Sequence, residues 1–167
     1  MVKKIVLLVI AATVIAAVGY FVFRSPNESQ QIINRLNQLT SRISKNSGEG
    51  PVTMALKHQA IMGLIDSQCT VFIKEAMLAG DFTPEGFAAQ MTRSRSMFKS
   101  IKGSVDYCEV QLNADQTEAT ISFAIRVIAE LKSGRKMDEV RDLQATVRKV
   151  DGKWLFSGFE IRQVLEK

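Results

Sequence analysis

The residues used most often in metal and redox sites are scarce in this chain of 167 residues. It has one histidine, His58, and two cysteines, Cys69 and Cys108, which form no CxxC pair. A structural zinc site takes four cysteine or histidine ligands, usually in closely spaced pairs, so no such site is expected. A disulfide between the cysteines requires an oxidising compartment, and the other interpretation is two buried apolar thiols.

Several catalytic motifs are absent as well. The sequence has no glycine-rich phosphate-binding loop, no HExxH, no GxSxG and no catalytic cysteine motif with a suitable histidine. Each absence argues against one class of enzyme. We therefore assign no catalytic, cofactor-binding or metal-binding residue from the sequence.

The excess of basic residues is concentrated at the N-terminus. The chain has 22 lysines and arginines against 17 acidic residues, but Lys3, Lys4 and Arg24 flank a hydrophobic run. Without these three, 19 basic residues face the same 17 acidic ones, which is too small a surplus for general binding to nucleic acid. No nucleic-acid partner is expected.

Residues 5–23, which read IVLLVIAATVIAAVGYFVF, form one uncharged run of 19 residues. As a helix this run would be roughly 28 Å long, enough to cross a bilayer. Cleavage as a signal peptide is the alternative, since residues 17–19 are small-x-small, but the apolar run continues beyond the length of a typical signal sequence. Retention predicts a single-pass protein of the cell (inner) membrane, with a cytoplasmic N-terminus and an extracytoplasmic domain.

The hydrophobic run and the residues after it divide the chain into three predicted segments. Residues 1–24 are the membrane anchor, 25–52 a juxtamembrane helix with a linker, and 53–167 a folded domain. The first helix begins at Ser25-Pro26, where Glu28 completes a capping box. Its narrow apolar seam indicates either packing on the domain itself or self-association as a short coiled coil; the seam consists of Ile32, Leu36, Leu39 and Ile43.

Two more helices are predicted after the glycine-rich segment 45–51. One runs over residues 53–80, with Ile61, Ile65 and Cys69 on its apolar stripe, and the other runs from Thr83 to about residue 101. The second half of the last helix carries four basic residues, interpreted as a solvated face or a patch for anionic lipid or an acidic partner; they are Arg93, Arg95, Lys99 and Lys102.

From residue 105 the hydrophobic period changes from helical to two, as in strands. Short turns at 113–116, 133–136 and 151–152 separate four such segments, which predicts an antiparallel meander. Helices followed by a meander indicate an α+β domain, with the helices packed on a curved four-stranded sheet.

Two segments resemble the nuclear transport factor 2-like superfamily, also called SnoaL-like or cystatin-like. Residues 76–81, AMLAGD, are similar to the end of its opening helix, and residues 147–156, VRKVDGKWLF, are similar to its last hairpin. With the order of elements, the resemblance covers about residues 53–167. It implies a cone-like fold, in which a curved sheet wraps around a long helix and encloses an apolar pocket.

The resemblance leaves two kinds of function open. Some members are isomerases, cyclases or dehydratases with a carboxylate base and polar donors in the pocket; others bind ligands or act as assembly modules, including membrane-tethered envelope proteins. The tether and the scarcity of histidine favour the second kind, as a binding domain for an envelope partner protein, a second copy or a small apolar ligand.

An isomerase or dehydratase of the SnoaL kind is the alternative, and it would need polar side chains that point into the pocket. His58, the single histidine, stands at helical spacing with Ile61 and Ile65 and is interpreted as structural. Because strand register is not fixed by the sequence, the polar strand candidates are left unassigned; they are Asp106, Tyr107, Arg126, Asp142 and Glu160. The aromatic residues of the last strand are interpreted as core: Trp154, Phe156 and Phe159.

Overall fold

The computed structural model describes residues 27–73 and 78–164. These ranges contain three helices and six strands: α1 (Glu28–Ile43), α2 (Pro51–Met62), β1 (Ile65–Ile73), β2 (Leu78–Phe82), α3 (Pro84–Ser96), β3 (Phe98–Leu112), β4 (Glu118–Leu131), β5 (Lys136–Val150) and β6 (Lys153–Val164). All six strands form one curved sheet in the order β2-β1-β6-β5-β4-β3. The α+β class is confirmed, but the prediction of four strands is wrong, because the sheet has six.

The predicted membrane anchor, residues 5–23, lies outside the described residues. Within the ranges that are described, none of the helices combines the length and apolarity needed to span a bilayer.

The long helix predicted over residues 53–80 is wrong beyond Met62. After Gly63 the chain continues as β1, which pairs in parallel with β6 and antiparallel with β2. Within β1, Cys69 and Val71 are buried and Thr70 and Phe72 are exposed, which is the alternation of a strand.

The segment that resembled a helix end is part of the hairpin formed by β1 and β2. Gly80 and Asp81 lie in β2, and the Asp81 carboxylate accepts a hydrogen bond of 2.6 Å from the Thr70 hydroxyl. Residues 76 and 77 lie outside the described ranges. The local motif therefore does not mark the end of a helix, although the overall fold is the one that the resemblance implies.

The meander formed by β3 to β6 follows the sequence prediction more closely. Its turns occur at the predicted places, and Asp151 and Gly152 both have positive φ (48° and 75°), as a tight two-residue hairpin turn requires. Two boundaries differ: α3 ends at Ser96 instead of about residue 101, and β3 begins at Phe98 instead of residue 105. Bulges between Val105 and Tyr107 and in the pairing of β5 with β6 bend the long strands.

Helix α1 packs against the inner face of this sheet. Its seam residues Ile32, Leu36 and Leu39 are at most 3% exposed and belong to the same core cluster as residues of the strands. The approach is close, because a Cβ atom at Gly103 in β3 would lie 2.9 Å from Thr40 Cγ2. The seam therefore packs on the domain itself, and the domain boundary at residue 53 stays a prediction.

The N-terminus of α1 is fixed to the hairpin of β5 and β6. Asn27 caps the helix by accepting from the Ser29 amide at 3.2 Å, whereas Ser25 of the predicted capping box lies outside the described residues. The Glu28 carboxylate instead accepts 2.7 Å hydrogen bonds from Lys149 Nζ and Trp154 Nε1. The hydrogen bond from Lys149 lowers the pKa of Glu28, and the hydrogen bond from Trp154 lowers it further by a smaller amount.

Replacing Glu28 by glutamine is expected to lower the free energy of unfolding by about 1–2 kcal/mol at pH 7. Since the pKa of Glu28 is lowered in the folded state, the carboxylate stabilises the fold fully above its unfolded-state pKa of about 4.3 and loses this effect as the pH falls through the folded-state value. Urea unfolding of wild type and Glu28→Gln between pH 3.5 and 7 measures the difference, which should shrink below about pH 4. Glu85→Gln, at an exposed position in the first turn of α3, is the control. A difference that does not depend on pH would contradict the assignment.

Candidate functional site: an apolar cavity between the helices and the sheet

A cavity of about 150 Å³ lies between the helices and the inner face of the sheet. Eleven residues from six elements line it: Leu36, Leu39, Thr40 and Ile43 from α1, Val71 from β1, Phe87 and Met91 from α3, Phe123 and Ile125 from β4, Leu143 from β5 and Phe159 from β6. Strand alternation places these strand residues on the inner face, where the helices cover them. The cavity is thus a continuation of the hydrophobic core that the core side chains do not fill.

The lining offers no acid or base. Its one polar side chain is Thr40, and the Thr40 hydroxyl already donates a hydrogen bond of 3.0 Å to the Leu36 carbonyl. None of the eleven described lining residues is titratable. The site can therefore exclude water and hold an apolar group, while general acid–base chemistry would need a group from elsewhere.

One wall of the cavity is formed by stacked aromatic rings. The Phe159 ring stacks on Phe87 with centroids 5.5 Å apart and on Phe156 with centroids 5.2 Å apart. Phe156 is fully buried. Phe156 therefore lies in the core, as the sequence predicts, whereas Phe159 also lines the cavity.

The volume limits what the cavity can hold. Sites for drug-sized ligands usually measure about 300–1,000 Å³, whereas an apolar cavity of about 150 Å³ stays dry and accepts a molecule of the size of benzene. A single ring or a short alkyl chain is therefore the largest group that fits without rearrangement.

The polar strand residues considered from the sequence lie away from this cavity. Tyr107 is 55% exposed, and its hydroxyl donates a 2.7 Å hydrogen bond to Glu109, which raises the pKa of Tyr107. Arg126 forms a two-pronged ion pair with Asp138 at 2.8 and 2.7 Å on the outer face. The remaining strand candidates are Asp106 and Glu160, which are exposed, and Asp142, which stands opposite Ala124. The structure brings none of them into the cavity lining.

His58 is part of α2, and its side chain faces α3. Its Nδ1 is 3.1 Å from the Thr92 hydroxyl oxygen, so the side chain joins the two helices. This contact supports the structural interpretation of the histidine over a catalytic one.

The four basic residues predicted as one helix face are divided between different environments. Arg95 is only 2% exposed, and its guanidinium donates to the carbonyls of Ile43 (2.9 Å) and Ser44 (3.1 Å), the last groups of α1. It also pairs with the buried carboxylate of Glu49, to which Lys57 donates at 2.6 Å. By contrast, Lys99 pairs with Glu130 in β4, and Arg93 and Lys102 are exposed.

The Glu49 carboxylate is held in its charged form by these two cations. Burial acts to raise its pKa, but the hydrogen bonds from Lys57 and Arg95 outweigh burial, so the pKa of Glu49 is lowered. Arg95 and Lys57 therefore cap the C-terminus of α1, and Glu49 compensates their charge. This buried ion cluster is structural, and it was not anticipated from the sequence.

Comparison with known proteins adds information on the fold. No family model matches the sequence, and no curated protein matches it. A nuclear transport factor 2-like superfamily protein from Salmonella enterica serovar Typhimurium matches with a TM-score of 0.66 and 10% identity over 83% of this chain and 92% of that one. A scytalone dehydratase-like protein from Novosphingobium aromaticivorans matches with a TM-score of 0.63 and 16% identity over 81% and 83%. The association domain of calcium/calmodulin-dependent protein kinase II from C. elegans matches with a TM-score of 0.59 and 13% identity over 80% and 94%.

The fold is nuclear transport factor 2-like. At identities of 10–16% these similarities extend to the fold alone. The three proteins carry names of different kinds, so the nuclear transport factor 2-like fold does not by itself select between catalysis, ligand binding and assembly.

Within the nuclear transport factor 2-like sheet, the two cysteines are too far apart for a disulfide. Cys69 in β1 and Cys108 in β3 are separated by β6, β5 and β4, which is about 19 Å along the sheet, whereas a disulfide needs Cα atoms within about 7 Å. Both thiols are free; burial raises the pKa of Cys69 to about 12 and also raises that of Cys108. Of the two interpretations left open by the sequence, the structure supports free thiols over a disulfide.

The described residues also contain no group of three or more acidic, histidine or cysteine side chains that could hold a metal ion. The cavity is therefore the candidate site, and its lining was missed from the sequence because it comes from elements far apart along the chain. The signal available in the sequence was the alternation of Ile121, Phe123 and Ile125 in β4. This alternation identifies the apolar face of the strand but not the cavity between that face and the helices.

Proposed function

We propose that this chain is a membrane-tethered, non-catalytic protein whose domain binds a small apolar group in the cavity. The observation that carries the proposal is the composition of the lining, which is apolar except for a hydroxyl that is already hydrogen-bonded. An apolar cavity of this size gains affinity from contact with an apolar ligand, and its lining offers no group that would activate the ligand.

Toluene is expected to bind the full-length chain and to stabilise it by about 2.7 kcal/mol at a concentration of 100 times its Kd. The measurement is thermal unfolding followed by circular dichroism in a mild nonionic detergent. Ile125→Phe narrows the cavity and is expected to weaken binding by about tenfold, or about 1.4 kcal/mol. Ile128→Phe makes the same change in the same strand at a position that is 46% exposed, and is expected to leave binding unchanged. The absence of any stabilisation by benzene, toluene or indole would refute the proposal.

The proposed location is the cell (inner) membrane, with the N-terminus in the cytoplasm and the domain outside it. The support is the uncharged run of residues 5–23 with basic residues at both ends. Carbonate extraction of membranes and accessibility of the domain to protease in intact spheroplasts test this part, and recovery of the chain in the soluble fraction would contradict it.

The proposal also includes assembly with an envelope partner protein or with a second copy of the chain. Three large apolar side chains on the outer face of the sheet support it, since Phe72, Tyr107 and Ile128 are 49%, 55% and 46% exposed. The mass of the detergent-solubilised particle distinguishes the homodimer from the monomer.

A SnoaL-like isomerase or dehydratase acting in the cavity is the alternative. One similar structure is a scytalone dehydratase-like protein, but an enzyme of this kind needs a titratable group within hydrogen-bond reach of its substrate. No described residue of the lining supplies one. Turnover of a hydroxylated or carbonyl substrate that is lost in Ile125→Phe would favour the alternative.

A further inference from the structure

The inner face of β5 continues past the cavity into a charged pair. Leu143 lines the cavity, and the next two residues on the same face of the strand are Arg141 and Glu139. In the antiparallel pairing with β4, Arg141 stands directly opposite Ile125, another lining residue. Side chains of directly paired residues start about 5 Å apart, so the Arg141 side chain begins beside a residue of the cavity wall and is long enough to reach the cavity rim.

Arg141 has unused capacity to bind an anion. Its Nη2 pairs with Glu139, but the guanidinium carries five N–H donors, and no other partner accepts from it within the described part of the chain. The two side chains are 28% and 41% exposed, so their ion pair is solvated and contributes little to stability. A ligand carboxylate can therefore displace Glu139 or share the guanidinium with it.

We propose that the cavity takes a small apolar carboxylate, whose ring or short alkyl chain enters the apolar space while its carboxylate pairs with Arg141. This inference rests on the proposed binding function and specifies its ligand class. The planar guanidinium suits the acid because it can donate two parallel hydrogen bonds to one carboxylate. The preference for a carboxylate over a neutral group then comes from the Arg141 guanidinium, because the described lining carries no charge.

The test compares two probes that differ only in charge, 3-phenylpropionate and 3-phenylpropanamide, by isothermal titration against the full-length chain in a nonionic detergent at pH 7. The carboxylate is expected to bind about tenfold more tightly than the amide. Arg141→Gln should remove this preference and leave the affinity for the amide unchanged. Glu139→Gln removes the competing carboxylate and should strengthen binding of 3-phenylpropionate.

The matched control is Arg126→Gln, which removes the same charge from the outer face of the neighbouring strand, where Arg126 pairs with Asp138. It should preserve the preference for the carboxylate. Equal affinity for both probes, or a preference that survives Arg141→Gln, overturns the role of Arg141 while leaving the apolar site in place. Failure of both probes and of toluene to bind overturns the proposed function itself.

Discussion

Replacing Arg95 by alanine is expected to lower the free energy of unfolding by about 3–5 kcal/mol, the usual cost of removing one partner from a buried ion pair. The substitution leaves the Ile43 carbonyl at the end of α1 without its side-chain donor. It also leaves the Ser44 carbonyl and the buried Glu49 carboxylate with Lys57 as their one remaining side-chain donor among the described residues. Urea unfolding of the full-length chain in mild detergent measures the effect, with fluorescence of Trp154, the single tryptophan, as the signal.

Two further variants distinguish the buried role of Arg95 from a general effect of charge. Arg93→Ala removes an exposed arginine from the same helix and should change the free energy of unfolding by less than about 0.5 kcal/mol. Arg95→Lys keeps the charge but not the planar fork of donors, and should recover only part of the stability. Equal effects of the Arg93 and Arg95 alanine substitutions would contradict the capping role.

Arg95 also illustrates what the sequence contained but did not make evident. Ala88, Met91 and Arg95 follow at spacings of three and four, so the arginine continues the buried stripe of α3. A basic residue near a helix C-terminus is nonetheless favourable in solvent as well, because the macrodipole attracts cations there. Whether Arg95 is buried or exposed depends on its contacts with Glu49 and with the end of α1. Only the tertiary structure brings these groups close to it.

The meander was predictable because its signals are local. Alternating residues in β4 and the tight turn at Asp151-Gly152 specify strands that pair with their neighbours in the chain. β1 was mistaken for helix because Ile65, Cys69 and Phe72 fit a helical period of four and three as well as a short strand. Its pairing partner β6 lies about 90 residues later in the chain, so no local pattern indicates it.

The candidate site was less predictable than the fold. A cavity is a volume that surrounding side chains fail to fill, and it depends on how α1 and α3 pack over the sheet. Similarly, Arg141 is one of many charged strand residues until the register places it opposite Ile125. Residue types alone therefore predicted the α+β fold class and not the residues that line the cavity.

Replacing Leu36 by alanine is expected to lower the free energy of unfolding by about 2–5 kcal/mol. Leu36 is 2% exposed in the core cluster, and its removal enlarges the cavity that it lines. The cost follows from lost apolar contact and from the additional empty volume, which the rigid surroundings fill only in part. The measurement is the same urea unfolding followed through Trp154, which is 1% exposed and lies in the same core.

The result measures how much the packing of the α1 seam on the sheet contributes to stability, and whether the seam also joins two chains. If the seam served mainly to join helices of two chains, Leu36→Ala would alter the mass of the particle and leave the unfolding of the sheet largely unchanged. Leu56→Ala is the matched control, since Leu56 in α2 is 63% exposed and its truncation should cost less than about 0.5 kcal/mol. A large loss of stability in Leu36→Ala but not in Leu56→Ala would show that α1 and the sheet unfold together. A ligand in the cavity would then stabilise the helix and the strands together.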